Sequence, residues 1–283
     1  MSEKPIVAIM YDFDRTLCTK DMQDYSFISS LGMTESEFWE TTNEMWQREH
    51  MDSVLAYMYS MVKISKDKGI PLLRENLVSM GKNVELFKGV DGWFDRLNQF
   101  GERCGVQIEH YIISSGMKEI IEGTSVSGCF KSIFACEFLY DENGWAVWPK
   151  TDVNYTNKTQ FVYRINKGVL DVANDLDLNR SMPEDSKRVP FTNMIYIGDG
   201  LSDVPCMKMM KAYGGYSIAV YQKRDSKVED LLKKDRVDFI YPADYSEGTG
   251  LDLTVKNIIR KMAVSDTLER ENTKQLKELS CSD

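Results

Sequence analysis

Asp12 and Asp14 stand two residues apart, directly after the apolar run that ends at Tyr11. A second acidic pair, Asp199 and Asp203, lies far along the chain in Gly198-Asp-Gly-Leu-Ser-Asp203, again directly after an apolar run, Met194–Ile197. Between the two pairs, Ser114-Ser115-Gly116 follows His110-Tyr-Ile-Ile113. Carboxylates can ligate metal, attack as nucleophiles or move protons, and a hydroxyl can bind an anion. If the three apolar runs are neighbouring strands of one parallel sheet, these groups meet outside the strands' carboxyl ends, where such sheets bind ligands. Carboxylates crowded together need a cation, and hard oxygen donors favour Mg²⁺. Gly198 and Gly200 let the backbone come close to such a cluster. A single D-x-D or G-D-G is an ordinary turn or helix cap. Three such motifs, each after a strand of buried type, point to a site.

The elements that must position these groups can be read from periodicity. Ile6–Tyr11 is continuously apolar and of strand length, as expected for a strand covered on both faces. Shorter candidate strands are Ser132–Cys136, Ser217–Val220 and Asp238–Tyr241, with helical patterns between most runs. Alternation of this kind implies an α/β fold, a Rossmann-like parallel sheet core with helices on both faces. Residues 20–86 read differently. Thr34-Glu-Ser-Glu37 is a capping-box pattern opening a helix with Phe38, Trp39, Met45 and Trp46 on one side. Met51, Val54, Leu55, Met58, Met61 and Val62 follow helical spacing, and a shorter helix is expected through Leu72–Met80. These stripes read as core packing, and some of the side chains as lining the mouth of a pocket. The expected organisation is an α/β core of residues 1–19 and 87–283, with an inserted all-helical cap domain over 20–86. Trp93, Phe94, Leu97 and Phe100 form one face of a helix covering the sheet. Asp141-Glu-Asn-Gly144, flanked by apolar residues, predicts a hairpin within Phe138–Trp148. Asn179–Thr192 reads as a polar surface loop. A last helix uses Val255, Ile258, Ile259 and Met262; beyond Ser265 the pattern turns polar, and the last residues are expected to fray.

Composition sets limits on function. The chain has 283 residues, 42% hydrophobic and 28% charged, enough for a sizeable core without metal or disulfide staples. A net charge of −9 disfavours nucleic acid as a partner, while a local pocket can still take a small anion. No early run is long enough to span a membrane or to serve as a signal peptide, so the expected location is cytoplasmic. The cysteines at 18, 104, 129, 136, 206 and 281 form no C-x-x-C pair, and His50 and His110 are the only histidines, which disfavours zinc and fits reduced thiols.

The motifs resemble those of the haloacid dehalogenase superfamily. Asp12-Phe-Asp14-Arg-Thr16 matches its D-x-D-x-T, Ser114 its strand-end Ser or Thr, and Gly198-Asp199-Gly-Leu-Ser-Asp203 its G-D-x-x-x-D. The helical insert is similar to the family's type 1 cap, and the chain most resembles the phosphoserine-phosphatase-like branch, over residues 5 to 250. The resemblance also requires a lysine. Lys158 opens an apparent helix where the family places it, with Lys150 and Lys167 as rivals.

The resemblance implies a Mg²⁺-dependent phosphatase acting on a small phosphomonoester. Asp12 is then the nucleophile that becomes an aspartyl phosphate, Asp14 the acid and base, and Lys158 the residue that completes the catalytic set. Ser114, with Ser115 and Gly116, would bind the phosphoryl group. Asp12, the backbone carbonyl of Asp14, Asp199 and Asp203 would hold the metal. Thr16 would tie down the loop after the nucleophile through its hydroxyl. Arg15 reads either as a solvent-facing loop residue or as a substrate contact, and Arg48, Glu49 and Arg74 of the cap as surface charge or substrate contacts. The second aspartate favours a phosphomonoesterase over a dehalogenase or phosphonatase. A phosphotransferase or mutase uses the same residues, and a catalytically quiet binding protein on this fold is the rival from another class.

Overall fold

The computed structural model describes residues 4–183 and 186–280. Cys281 lies outside the described residues. The chain starts at the centre of its sheet. Strand β1 (Ile6–Tyr11) is followed by four helices, α1 (Phe27–Ser30), α2 (Glu35–Glu49), α3 (Ser53–Asp67) and α4 (Arg74–Met80). The chain then returns through α5 (Val90–Cys104), β2 (Gln107–Met117), α6 (Lys118–Glu122), β3 (Ser132–Tyr140) and β4 (Ala146–Thr151). Next come α7 (Lys158–Lys167), α8 (Asp175–Asn179), β5 (Met194–Gly198), α9 (Val204–Ala212), β6 (Tyr216–Tyr221), α10 (Ser226–Lys233), β7 (Phe239–Pro242) and α11 (Gly250–Ser280). The seven strands are ordered β4-β3-β2-β1-β5-β6-β7, all parallel except β4.

β1 lies between β2 and β5 because its side chains are apolar on both faces; Val7 to Tyr11 are all fully buried. The register brings the three motif-bearing strand ends level. Tyr11 is opposite Ile112 on β2 and Ile197 on β5, so Asp12, Ile113 and Gly198 stand level across three adjacent strands. Helices α5 and α11 pack together on one face of the sheet, and α7 and α9 on the other. Trp93, Phe94, Leu97 and Phe100 are the buried face of α5, as their spacing requires.

Between residues 20 and 86 no segment joins the seven-stranded sheet. α2 opens with the expected capping box: Glu37 N–H donates to Thr34 Oγ1 at 3.3 Å, and Thr34 N–H donates to the Glu37 carboxylate at 2.8 Å. The Asp52 carboxylate caps α3 through the N–H groups of Val54 and Leu55. His50 ends α2 in the left-handed region, at φ 51°. The hairpin forms where the Asp141–Gly144 turn predicts it and does more than cover an edge. Leu73 bridges Trp145, and Ala146 N–H donates to Leu72 C=O at 2.9 Å, so β4 also props the helical segment.

The last helix runs on past Ser265 to Ser280, and the final residues, where fraying is expected, lie outside the described residues. That stretch is mostly polar and rich in helix formers, with Asp266–Arg270 and Glu271–Gln275 pairs at i, i+4. One expectation needs correction: the polar segment 179–192 is not wholly a solvated loop. Its Val189 is buried, and Arg188 forks onto Glu109 of β2 at 2.7 and 2.6 Å.

Candidate active site

Asp12 is the first residue beyond β1 and is held by its backbone on both sides. Its N–H donates to Ile197 C=O at 2.9 Å, and its Oδ1 accepts the Phe13 N–H at 2.8 Å. Phe13 and Leu17 are fully buried, which pulls the next residues into a tight turn. The N–H groups of Thr16, Leu17 and Cys18 all converge on Phe13 C=O, and Arg15 takes a left-handed φ of 55°. Asp14 is thereby turned back toward the sheet edge, where its Oδ1 accepts the Met22 N–H at 2.9 Å. The Thr16 hydroxyl does not tie the loop down: it is buried and has no protein partner. The anchor is instead its carbonyl, which accepts from the buried Tyr245 hydroxyl at 2.8 Å.

Lys158 reaches this place from the first turn of α7. Its ammonium is fully buried, 3.2 Å from Asp12 Oδ1 and 2.8 Å from Asp203 Oδ1. The two other candidate lysines are elsewhere. Lys150 pairs with Glu137 at 2.9 Å on the hairpin, and Lys167 donates to the carbonyls of Leu178 and Arg180. Asp203 is also fixed by the Tyr196 hydroxyl at 2.7 Å and by Gly200 N–H at 3.3 Å. Gly198 makes room for it, since a Cβ there would stand 2.4 Å from the Asp203 carboxylate. Ser114, fully buried at the end of β2, accepts the Gly116 N–H at 3.1 Å. Ser115 lines the cavity, and Gly116 passes so close to Asp14 and Met22 that no side chain fits.

Asp12, Asp199 and Asp203 each offer a carboxylate oxygen within 4.8 Å of the other two. Burial, set against Lys158 and reinforced by Asp203, pushes Asp12 up to about 6. Burial and the charges of Asp203 and Asp12 push Asp199 up to about 8. Three carboxylates this close together form an all-oxygen donor set suited to a small hard cation such as Mg²⁺. The Asp14 side chain stands outside this cluster. Burial, then the charges of Asp21 and Asp12, lift it well above the usual carboxylate range. The Lys158 ammonium, despite its burial, is held charged by Asp12 and Asp203.

These groups lie at or beneath one cavity of about 590 Å³. Its other wall comes from the helical segment and was not foreseen in detail. Trp39, Thr42, Asn43 and Trp46 line it at i, i+3, i+4 and i+7 on α2, joined by Tyr57 of α3 and Tyr155 ahead of α7. Of the aromatic stripe read as core, Phe38 is buried, while Trp46 is 40% exposed at the cavity. The signal lay in the mixture: a helix face alternating indoles with a hydroxyl and an amide is not plain core. Arg48 pairs with Glu49 on the surface and Arg74 with Glu122, and neither lines the cavity. Arg15 does line it, gripping Asp21 through Nε at 3.1 Å and Nη2 at 2.6 Å. The Tyr57 hydroxyl donates to Ser115 C=O at 2.5 Å, tying α3 to the end of β2. His110 is a core residue, bonded to Tyr11 and Asn98.

The family model of haloacid dehalogenase-like hydrolases matches residues 9–208. An uncharacterized protein of Borreliella burgdorferi is 26% identical over 275 residues, covering 87% of this chain and 94% of that one. A hydrolase of the same family from Salmonella enterica serovar Typhi superposes with a TM-score of 0.60 at 15% identity, over 90% of this chain and 72% of that one. A phosphoserine phosphatase in its apo form superposes with a TM-score of 0.54 at 16% identity, over 84% and 94% of the two chains.

Proposed function

The chain belongs to the haloacid dehalogenase-like hydrolase family, and from that premise we propose that it is a Mg²⁺-dependent phosphatase of small phosphomonoesters, working through a phosphoryl group carried on Asp12. The observation that carries this reading is the different placement of two carboxyls only two residues apart. Asp12 faces the Lys158 ammonium at 3.2 Å within the carboxylate cluster, which suits an ionised nucleophile. Asp14 stands outside that cluster, and burial with the charges of Asp21 and Asp12 lifts it well above the usual carboxylate range, the direction that suits a proton donor.

In the first step an Asp12 oxygen forms a bond to phosphorus as the bond to the leaving alkoxide breaks, and Asp14 delivers its proton to that oxygen. In the second, Asp14, now a carboxylate, takes a proton from water. The water oxygen attacks phosphorus, and the bond to Asp12 breaks to return the free carboxylate and inorganic phosphate. Lys158 stabilises negative charge on Asp12 and on the phosphoryl oxygens beside it, and the Ser114 hydroxyl donates to one of those oxygens. Asp12, the Asp14 carbonyl, Asp199 and Asp203 would hold Mg²⁺, which would supply positive charge that lets an anionic nucleophile approach an anionic ester.

We take residues 20–86 as the cap and residues 1–19 with 87–283 as the core, and the Tyr57–Ser115 bond as one closing contact between them. A cavity of this size under such a cap suits a small metabolite. No helix among the described residues is long and apolar enough to cross a membrane, and the five described cysteines are free, which supports a cytoplasmic enzyme. The test is hydrolysis of an aryl phosphate by the purified protein. Activity should vanish with a chelator and return with Mg²⁺, whereas full activity in metal-free buffer would remove the basis of the proposal.

A further inference from the structure

Resting on the phosphatase reading, we propose that the alcohol esterified to the phosphate carries a positive charge and no second negative one: an amino alcohol ending in a primary or quaternary ammonium.

The wall opposite the carboxylates is aromatic. The rings of Trp39 and Tyr57 line the same cavity and meet edge to face, with centroids 6.3 Å apart and planes at 68°. Both rings are fixed from behind. The indole N–H of Trp39 donates to Asp24 Oδ1 at 3.0 Å, and the Tyr57 hydroxyl donates to Ser115 C=O. Donation to a carboxylate enriches the indole face in electron density. Aromatic faces attract ammonium groups within about 6 Å, most strongly when the site is shielded from water. Trp46 and Tyr155 add aromatic surface to the same cavity.

An uncharged apolar group would also suit aromatic walls, but the Asp24 carboxylate behind the Trp39 indole favours a cation at that ring. Apart from Asp12, Asp14 and Asp199, which the reaction and its metal would occupy, the charged lining is Asp21 and a single cationic side chain among the described lining residues, Arg15. Arg15 is already engaged by Asp21 through two hydrogen bonds, and Lys158 is buried against Asp12 and Asp203. A substrate carboxylate or a second phosphate would therefore meet ring faces and carboxylates, with no free cation to receive it. Gln23 and Asn43 are also lining residues, and an amide oxygen can accept from an ammonium N–H.

The experiment compares kcat/KM, in Mg²⁺, for an aryl phosphate, choline phosphate, ethanolamine phosphate, phosphoserine and the neutral isostere of choline phosphate in which tert-butyl replaces trimethylammonium. At least one of the two cationic esters should exceed the neutral isostere by about tenfold or more, the size of a shielded cation–π contact. Ethanolamine phosphate should also exceed phosphoserine, which adds only a carboxylate. Within Trp39→Leu the cationic-to-neutral ratio should fall toward one, and within Trp39→Phe much of it should remain. A ratio taken within one preparation does not depend on how much of the variant folds. Hydrolysis of the aryl phosphate with no preference for the cationic esters, with phosphoserine preferred, or with the ratio intact in Trp39→Leu, would overturn the inference and leave the phosphatase reading standing. Failure on every ester, the aryl phosphate included, would remove both.

Discussion

The Lys158 ammonium lies 3.2 Å from Oδ1 of Asp12, with the lysine fully buried and the aspartate nearly so. A buried cation against a buried carboxylate is tolerable only as part of a set, and Asp203, at 2.8 Å from the same nitrogen, completes it. On the proposed reading the set couples stability to chemistry, because the cation beside Asp12 would also face the phosphoryl group.

Lys158→Met should therefore fail in two ways. Turnover of an aryl phosphate is expected to fall by about 10²–10³-fold, the usual cost of losing one preorganised electrostatic contact. Leaving Asp12 and Asp203 without their cation should cost about 3–5 kcal/mol in metal-free buffer, and less with Mg²⁺ present. Denaturant midpoints with and without Mg²⁺ measure the second effect. Turnover close to that of the parent would show that Lys158 has no part in the reaction.

Gly116→Ala tests the packing beneath Asp14. A Cβ there would stand 2.1 Å from the Met22 methyl and 2.8 Å from Asp14 Oδ2. Met22 is itself pinned, accepting the Met117 N–H through its sulfur at 3.0 Å. The carboxyl and the methionine must both move, so we predict at least about a tenfold loss in kcat, with an overpacking cost of about 1–3 kcal/mol. Unchanged kcat in a well-folded variant would mean that the position of Asp14 is not critical.

Tyr57→Phe keeps the ring and removes the bond to Ser115 C=O. That carbonyl also accepts from Cys136, so the stability cost should be small, about 1 kcal/mol. The helical segment should loosen from the strand end. KM is expected to rise several-fold and limited proteolysis between residues 20 and 86 to quicken. An unchanged KM and an unchanged cleavage rate would rule out the hydroxyl as a closing contact.

His110 makes a pH prediction. Burial lowers it from 6.5 to about 3. Below about 6.5 the unfolded chain takes up a proton that the folded protein refuses. The neutral histidine's share of stability is thus complete above 6.5 and is lost as pH falls toward 3, at up to about 1.4 kcal/mol per pH unit. Urea midpoints measured between pH 7 and 5 should fall less steeply in His110→Phe than in the parent. Equal slopes would contradict a buried neutral imidazole.

Strands, the helices of residues 20–86 and the grouping of the three motifs were legible in the sequence because each rests on local pattern. Ile6–Tyr11 is apolar at every position, Thr34 and Glu37 form a capping box wherever a helix begins, and the motif residues follow strand ends. The choice among Lys150, Lys158 and Lys167 was not legible, since all three are polar residues near element ends and only the docking of α7 brings one of them to Asp12. Which stripe residues line the pocket was not legible for a related reason: Trp39 and Trp46 fit a core stripe equally well until the placement of α2 is known. The anchor of Thr16 depends on Tyr245, which lies more than two hundred residues away and leaves no local trace.

The central claim is that Asp12 is the nucleophile toward phosphorus and Asp14 the proton carrier, and the Asp14→Asn variant separates the two most directly. It keeps the nucleophile and the backbone carbonyl at position 14 but has no proton to give and no base for the second step. With an activated aryl phosphate, whose leaving group needs little protonation, the first step should outlast the second, and steady turnover should drop by about 10²–10⁴-fold. Intact-protein mass after mixing and acid quench should then show a phosphoryl adduct, and peptide mapping should place it on Asp12. An adduct on any other residue, or an Asp12→Asn enzyme that turns over at the parent's rate, would contradict the account.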